Sequence, residues 1–252
     1  MSRIRIGAHR GAMCHATENT LGAFEKAIKF GTYRIEFDVR RTGDDEIVLM
    51  HDSTVDRTTD GSGPVAEMTL ADLRQLGMDD GETIPTLAEA LGCIRGRCRG
   101  LVELKDSDIT EAVIEIIQQA GMVDDCTLAA FDESCLRLSK QIDSRISTAF
   151  FFLKPGPFDA QRIIEEFSVD LLIVWPPAAV MEQIADAKRC GLQVRCGFPD
   201  SMSYAELQEA FLRMVAMGVD EVSCGRPDWI ARMIEEYEDR VSASDTSGGQ
   251  TA

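Results

Sequence analysis

The feature that most constrains this 252-residue chain is a regular alternation of short β-branched or apolar runs with longer amphipathic stretches. Each run reads as a strand buried on both faces, and each stretch, with apolar residues three and four apart, reads as a helix lying on the sheet. Repetition of that unit leaves few architectures, because parallel strands need crossovers and the crossover helices must cover the sheet. Strands are predicted at 3–8, 33–40, 47–51, 100–105, 126–131, 146–152, 171–175, 193–197 and 221–224. Helical stretches such as "NTLGAFEKAIKF", "DITEAVIEIIQQAG" and "MEQIADAKRCG" stand between them, some closed by a Gly suited to a C-cap. "RIEFDVRR" and "IVLMHD", joined by the turn "TGDDE", read as one hairpin-like excursion from a single sheet position, which leaves eight parallel strands. The predicted fold is therefore α/β, a single-domain (β/α)8 TIM barrel over 1–240. No repeat or Pro-rich linker divides it, and 241–252, ending in "SASDTSGGQTA", is predicted to be a disordered polar tail.

Composition enters where it excludes. A net charge of −17 argues against a nucleic-acid partner, which requires a basic surface. No apolar run approaches the roughly 20 residues that span a bilayer; the best, "LLIVWPPAAVM", is broken by Pro176 and Pro177. The first ten residues carry Arg3 and Arg5 and no signal-peptide core, so a cytoplasmic protein is expected. The eight cysteines are dispersed without a CxxC pair and are expected to be reduced thiols serving as small apolar residues.

Residues two apart on a strand face the same side, so Glu36 and Asp38 project together, as do Glu103 and Lys105. Acidic groups inside a buried strand are costly unless paired or metal-bound. Three carboxylates converging from two strands suit a hard divalent cation, Mg²⁺ or Ca²⁺. The competing reading is ordinary ion pairing, Glu36 with Arg34 and Glu103 with Lys105. His9 and His51 each end a strand-like run, at the barrel face where active sites form, and suit proton exchange near neutral pH. His15 sits in the following loop without a partner at ligand spacing and reads as a bystander. Arg10 and Lys105 supply local positive charge for an anionic substrate that the overall charge repels.

Together, "HRG", "ENTLGAFEKAI", "IEFDVRRTGDDEIVLMHDSTVDRTTDGSG", "IPTLAEAL", "LVELK" and "GRPDWI" resemble the glycerophosphodiester phosphodiesterase family, densely from Ile6 to Lys105 and more thinly after it. The resemblance implies a (β/α)8 barrel and metal-dependent hydrolysis of small-molecule phosphodiesters to glycerol 3-phosphate and an alcohol. It implies His9 and His51 as the catalytic pair, Glu36, Asp38 and Glu103 as metal ligands, and Arg10 and Lys105 as phosphate contacts. In the family reaction a neighbouring glycerol hydroxyl attacks phosphorus and water then opens the cyclic phosphate. The chain departs from the family pattern at Thr17, usually Pro, and at Arg195, where a substrate-packing Trp is expected. It departs again at Ala130, usually Ser, and Gly225, usually Asp. The last three bear on which substrate is used. A phospholipase-like barrel cleaving lysophospholipids or another phosphodiester, and a barrel that binds a phosphodiester without turnover, are the alternative readings.

Overall fold

Each apolar run becomes a strand. A computed structural model of the protein describes residues 4–247. The strands are β1 (Arg5–His9), β2 (Arg34–Arg41), β3 (Ile47–Leu49), β4 (Arg99–Leu104), β5 (Cys126–Ala130), β6 (Ser147–Phe152), β7 (Leu171–Val174), β8 (Gln193–Gly197) and β9 (Glu221–Cys224). The helices are α1 (Leu21–Lys29), α2 (Leu70–Leu73), α3 (Leu87–Ile94), α4 (Thr110–Gln119), α5 (Glu133–Ile142), α6 (Ala160–Phe167), α7 (Met181–Arg189), α8 (Tyr204–Met217) and α9 (Pro227–Ser247). Arg3, read into the first strand, lies outside the described residues.

Around the sheet β1, β2, β4, β5, β6, β7, β8 and β9 follow one another in parallel, and β9 returns to β1, closing an eight-stranded barrel. β3 lies outside the ring, antiparallel to β2 through Val39 opposite Leu49 and Arg41 opposite Ile47, as the hairpin reading requires. The excursion that follows has a small core of its own, built from Val48, Met50, Val55, Val65, Leu73 and Ile84.

Side-chain alternation sorts each strand into an outer and an inner set. The outer set packs under the helices, as where Phe37 of β2 meets Phe24 of α1 with ring centroids 5.2 Å apart. The buried thiols of Cys126, Cys135, Cys196 and Cys224 are part of this apolar layer. The inner set is two-sided. Leu101, Ala129, Ala149, Leu171 and Ile173 form an apolar cluster on β4 to β7. Across from it, Arg195 donates to Glu221 and to the Ala8 carbonyl at 3.3 Å, and Arg34 lies 3.7 Å from Glu221. Gly7 makes room for this buried ion group: a Cβ there would lie 2.8 Å from both Arg195 Nη1 and Glu221 Oε1. Arg34 thus turns to Glu221 and not to Glu36.

The predicted tail falls partly within the last helix. α9 continues to Ser247, so 241–247 are helical, while 248–252 lie outside the described residues. Composition judged that segment in isolation. The helix is already nucleated where Ile230, Met233 and Ile234 pack into the core, and extension needs one further hydrogen bond per residue. Ser242 adds to it by donating to the Glu238 carbonyl at 2.9 Å.

Candidate active site

The register of three neighbouring strands assembles the site. His9, last in β1, stands opposite Glu36 of β2, and Asp38 stands opposite Glu103 of β4. His9 ends β1 and Glu103 is next to last in β4, while Glu36 and Asp38 are the third and fifth residues of the longer β2. The three carboxylates are buried, and each offers an oxygen within 4.8 Å of the other two. Burial, then the charge on Asp38, pushes the Glu36 carboxyl above its usual range. Burial, with Asp38 and Glu36, pushes Glu103 to about 7. Burial acts on Asp38 in the same direction, but Lys105 and Arg10 more than reverse it and hold this carboxylate low. Lys105 Nζ lies 2.9 Å from Asp38 and also donates to Glu103, so the Glu103–Lys105 pairing weighed in the sequence is present within the cluster. A buried, oxygen-only donor set with unevenly compensated charge fits a hard divalent cation.

The loop after β1 holds the cluster in place. Arg10 adopts a left-handed backbone (φ 49°), uncommon for a side chain of this kind, and in it donates its N–H to Glu36 Oε2 at 3.0 Å. Its guanidinium donates to Glu18 at 2.9 Å and lies 3.3 Å from Asp38. The "ENT" triplet does three separate jobs. Glu18 receives Arg10, Asn19 donates to Asp38 at 2.9 Å, and Thr20 caps α1 by accepting from the Ala23 N–H.

Each histidine is oriented through Nδ1. His9 Nδ1 lies 2.7 Å from Asp200 Oδ2, and the other oxygen of Asp200 accepts the Gly225 N–H. Gly225 is required there, since a Cβ would come within 2.6 Å of Met13 and 2.8 Å of Asp200. His51 Nδ1 lies 2.6 Å from Asp52, and Arg40 holds the His51 carbonyl through two donors at 3.1 and 2.9 Å. A carboxylate at Nδ1 places the ring proton there and leaves Nε2 to exchange protons. For His9, burial works against the charged form, but the Asp200 hydrogen bond and the charge on Glu36 outweigh it and raise the imidazole's pKa. Arg57 links the two halves, donating to Asp52 at 2.7 Å and in a two-pronged contact to Glu18 at 2.8 and 2.7 Å. Arg57, then His51, holds Asp52 far below the usual carboxylate range.

Of the seven residues singled out in the sequence, His9, Arg10, Glu36, His51, Glu103 and Lys105 line one cavity of about 470 Å³. The seventh, Asp38, is buried beside Glu36 and Glu103. His15 is not among them: it pairs with Asp228 at 2.7 Å and packs on Phe30. Arg195 does not take the place of a rim aromatic. It is 2% exposed, bound to Glu221 at the cavity floor, and the indole lying over Gly197 of the same strand belongs to Trp175. Sequence reasoning missed Asp52, Asp200, Glu18, Asn19 and Arg57. Asp52 and Asn19 had a local signal, being adjacent to His51 and to the first helix cap. Asp200 is 191 residues from His9 and had none.

Comparison with known proteins agrees with the barrel fold. The pattern of the glycerophosphoryl diester phosphodiesterase family matches residues 9–175. A glycerophosphodiester phosphodiesterase of Caldanaerobacter subterraneus is 27% identical over 91% of this chain and 97% of its own length. Glycerophosphodiester phosphodiesterase 1 of Mus musculus is 34% identical over 58% of this chain and 48% of its own, so the chain spans about half of that relative. Among solved structures, a phosphodiesterase of Oleispira antarctica in complex with the product sn-glycerol 3-phosphate superposes with a TM-score of 0.83. It is 27% identical, over 92% of this chain and 97% of that one. A glycerophosphodiester phosphodiesterase from Agrobacterium tumefaciens superposes with a TM-score of 0.78 at 27% identity, over 90% and 99%.

Proposed function

The chain belongs to the glycerophosphoryl diester phosphodiesterase family, and on that premise we propose that it hydrolyses glycerophosphodiesters to glycerol 3-phosphate and an alcohol. Glu36, Asp38 and Glu103 hold Mg²⁺ or Ca²⁺, His9 and His51 move protons, and Arg10 and Lys105 contact the phosphate. The observation that carries this reading is the meeting, at one cavity, of a three-carboxylate cluster, of which Glu36 and Glu103 line the cavity, with two imidazoles each oriented by its own carboxylate.

When bound, the cation supplies positive charge for the phosphoryl oxygens. With Nδ1 of each ring committed to Asp200 or Asp52, Nε2 is the proton-exchanging atom. One imidazole takes the proton of the glycerol hydroxyl that attacks phosphorus, and the other protonates the departing alcohol oxygen. In the second half the roles reverse, as water opens the cyclic phosphate. Asp200 and Asp52 stabilise whichever ring is charged. Arg10 and Lys105 place two cations at the substrate on a protein whose net charge of −17 otherwise repels it. The match to a relative solved with glycerol 3-phosphate supports the product assignment.

The test is release of glycerol 3-phosphate from glycerophosphocholine, glycerophosphoethanolamine and glycerophosphoglycerol with Mg²⁺ or Ca²⁺, with and without EDTA. Turnover that EDTA abolishes is expected. No turnover of any of the three, or turnover that survives the chelator, overturns the proposal.

A further inference from the structure

The opposite end of the barrel holds a charged cluster that the chemistry above does not use. Arg5, Arg34 and Arg99 are the first residues of β1, β2 and β4, the strands that carry His9, Glu36 with Asp38, and Glu103 further along. Arg34 stands directly opposite Arg99 in the register, and like charges so placed cost stability. All three guanidiniums gather on the ring of Tyr33, their central carbons 4.6 Å (Arg5), 5.5 Å (Arg34) and 5.9 Å (Arg99) from its centroid. The Tyr33 hydroxyl accepts from Arg5 at 3.3 Å and from Arg99 at 3.5 Å. Both contacts lie beyond the roughly 3.2 Å limit of a well-formed N–H···O bond, so these donors are loosely held.

The positive charge is under-compensated. With Arg195 included, four arginines have two carboxylates at ion-pair distance among the described residues, Glu221 and the exposed Asp125. Glu221 is already bound by Arg195. Arg34, only 4% exposed, lies 3.7 Å from Glu221, too far for a hydrogen bond, and its Nε and Nη1 have no hydrogen-bond partner in the protein. Arg5 meets neutral acceptors, the Asp220 carbonyl at 3.4 Å and the Gln193 side chain at 3.1 Å besides Tyr33. Burial, together with Arg195 and Arg5, outweighs Glu221 and lowers the pKa of Arg34. Burial opposes ionisation of the Tyr33 phenol, but Arg99, Arg5 and Arg34 outweigh it and lower its pKa. The N-terminal face of such a barrel ordinarily serves stability, and a stabilising cluster pairs its charges. This one concentrates unpaired cations on a protein whose net charge is −17.

We propose that Arg5, Arg34, Arg99 and the Tyr33 hydroxyl bind a phosphate dianion, free or at the end of a monoester, at the N-terminal mouth of the barrel. Two unbalanced positive charges match a dianion, and guanidinium forks suit its oxygens. A carboxylate brings a single charge and two oxygens, fewer acceptors than three arginines can engage. None of these four residues lines the catalytic cavity, so the inference stands apart from the phosphodiesterase reading.

The test is calorimetric titration of the metal-free protein in EDTA at pH 8 with inorganic phosphate and with glycerol 3-phosphate, at an ionic strength held constant with sodium chloride. The double variant Arg5→Gln/Arg99→Gln should weaken phosphate binding about tenfold or more, whereas Lys105→Gln in the catalytic cavity should leave it in place. Without phosphate the double variant should melt no lower than wild type, because it relieves repulsion between like charges, and phosphate should raise the melting temperature of wild type alone. A cluster that only holds the barrel together predicts the opposite on both counts. Tighter binding of glycerol 3-phosphate than of phosphate identifies a monoester as the ligand, and equal or weaker binding identifies free phosphate. Wild-type affinity in the double variant, or binding lost only in Lys105→Gln, overturns the site. Should the double variant not fold, labelling of wild-type arginines by phenylglyoxal, located residue by residue by mass spectrometry, decides. Phosphate at several times its Kd should slow labelling of Arg99 about fivefold, and labelling of Arg99 that phosphate leaves unchanged overturns the proposal.

Discussion

Replacing Glu103 by Gln should stabilise the metal-free protein and destabilise the metal-loaded one. Glu103 shares a buried site with Glu36 and Asp38, and burial with those two charges raises its carboxyl from 4.5 to about 7. Between these values the native state binds the proton and the unfolded chain does not, so stability of the metal-free wild type falls as pH rises from about 4.5 to about 7. Above that window the loss amounts to about 3 kcal/mol at most, at 1.36 kcal/mol per unit. Glutamine keeps the shape of the neutral acid and removes that loss, but it weakens the charge-assisted contact with Lys105 by about 1 kcal/mol. A net gain of roughly 1–2 kcal/mol at pH 8 corresponds to a melting temperature about 2–8 °C higher, at 2–4 °C per kcal/mol for a chain of this size. The assay is thermal unfolding in EDTA at pH 8 and pH 5, repeated with excess Mg²⁺ or Ca²⁺. The variant should melt higher at pH 8, lose its advantage at pH 5, and fail to gain the metal-induced rise that the wild type shows, because only a folded site binds the ion. If the variant melts lower than wild type in EDTA at pH 8, Lys105 and Arg10 fully compensate the cluster and the reasoning is wrong.

His9→Ala and His51→Ala should each lower kcat by 10²–10⁴ while metal affinity, read by calorimetry, is retained. Asp200→Asn should lower kcat about tenfold or more with little change in KM, because it removes the acceptor that fixes the His9 tautomer; steady-state kinetics on glycerophosphocholine checks this. Arg195→Met leaves Glu221 buried without its principal partner and should destabilise the barrel by about 3–5 kcal/mol in urea unfolding. His15→Ala should leave turnover within about twofold, since its contacts are to Asp228 and Phe30; a large loss would place it in the chemistry after all.

Much of this protein was determined by the sequence alone, wherever the physics is local. The two-residue period put Glu36 with Asp38 and Glu103 with Lys105 on shared strand faces, and the βα rhythm placed the two histidines at the end of a barrel where active sites form. The hairpin between Arg41 and Ile47 was legible because a short polar turn separates two apolar runs. Only the tertiary structure decided what each group touches. Asp200 reaches His9 across 191 residues because closure of the barrel brings the segment after β8 across the intervening β9 to the end of β1, and no local period encodes that contact. Arg195 carries the same lesson. Strand position placed it near the site, but whether its guanidinium faces a substrate or a buried partner depended on Glu221 one strand away and on the space left by Gly7 beyond it. Periodicity specifies which face a side chain is on; pairing energies between faces, set only once the ring closes, select its partner.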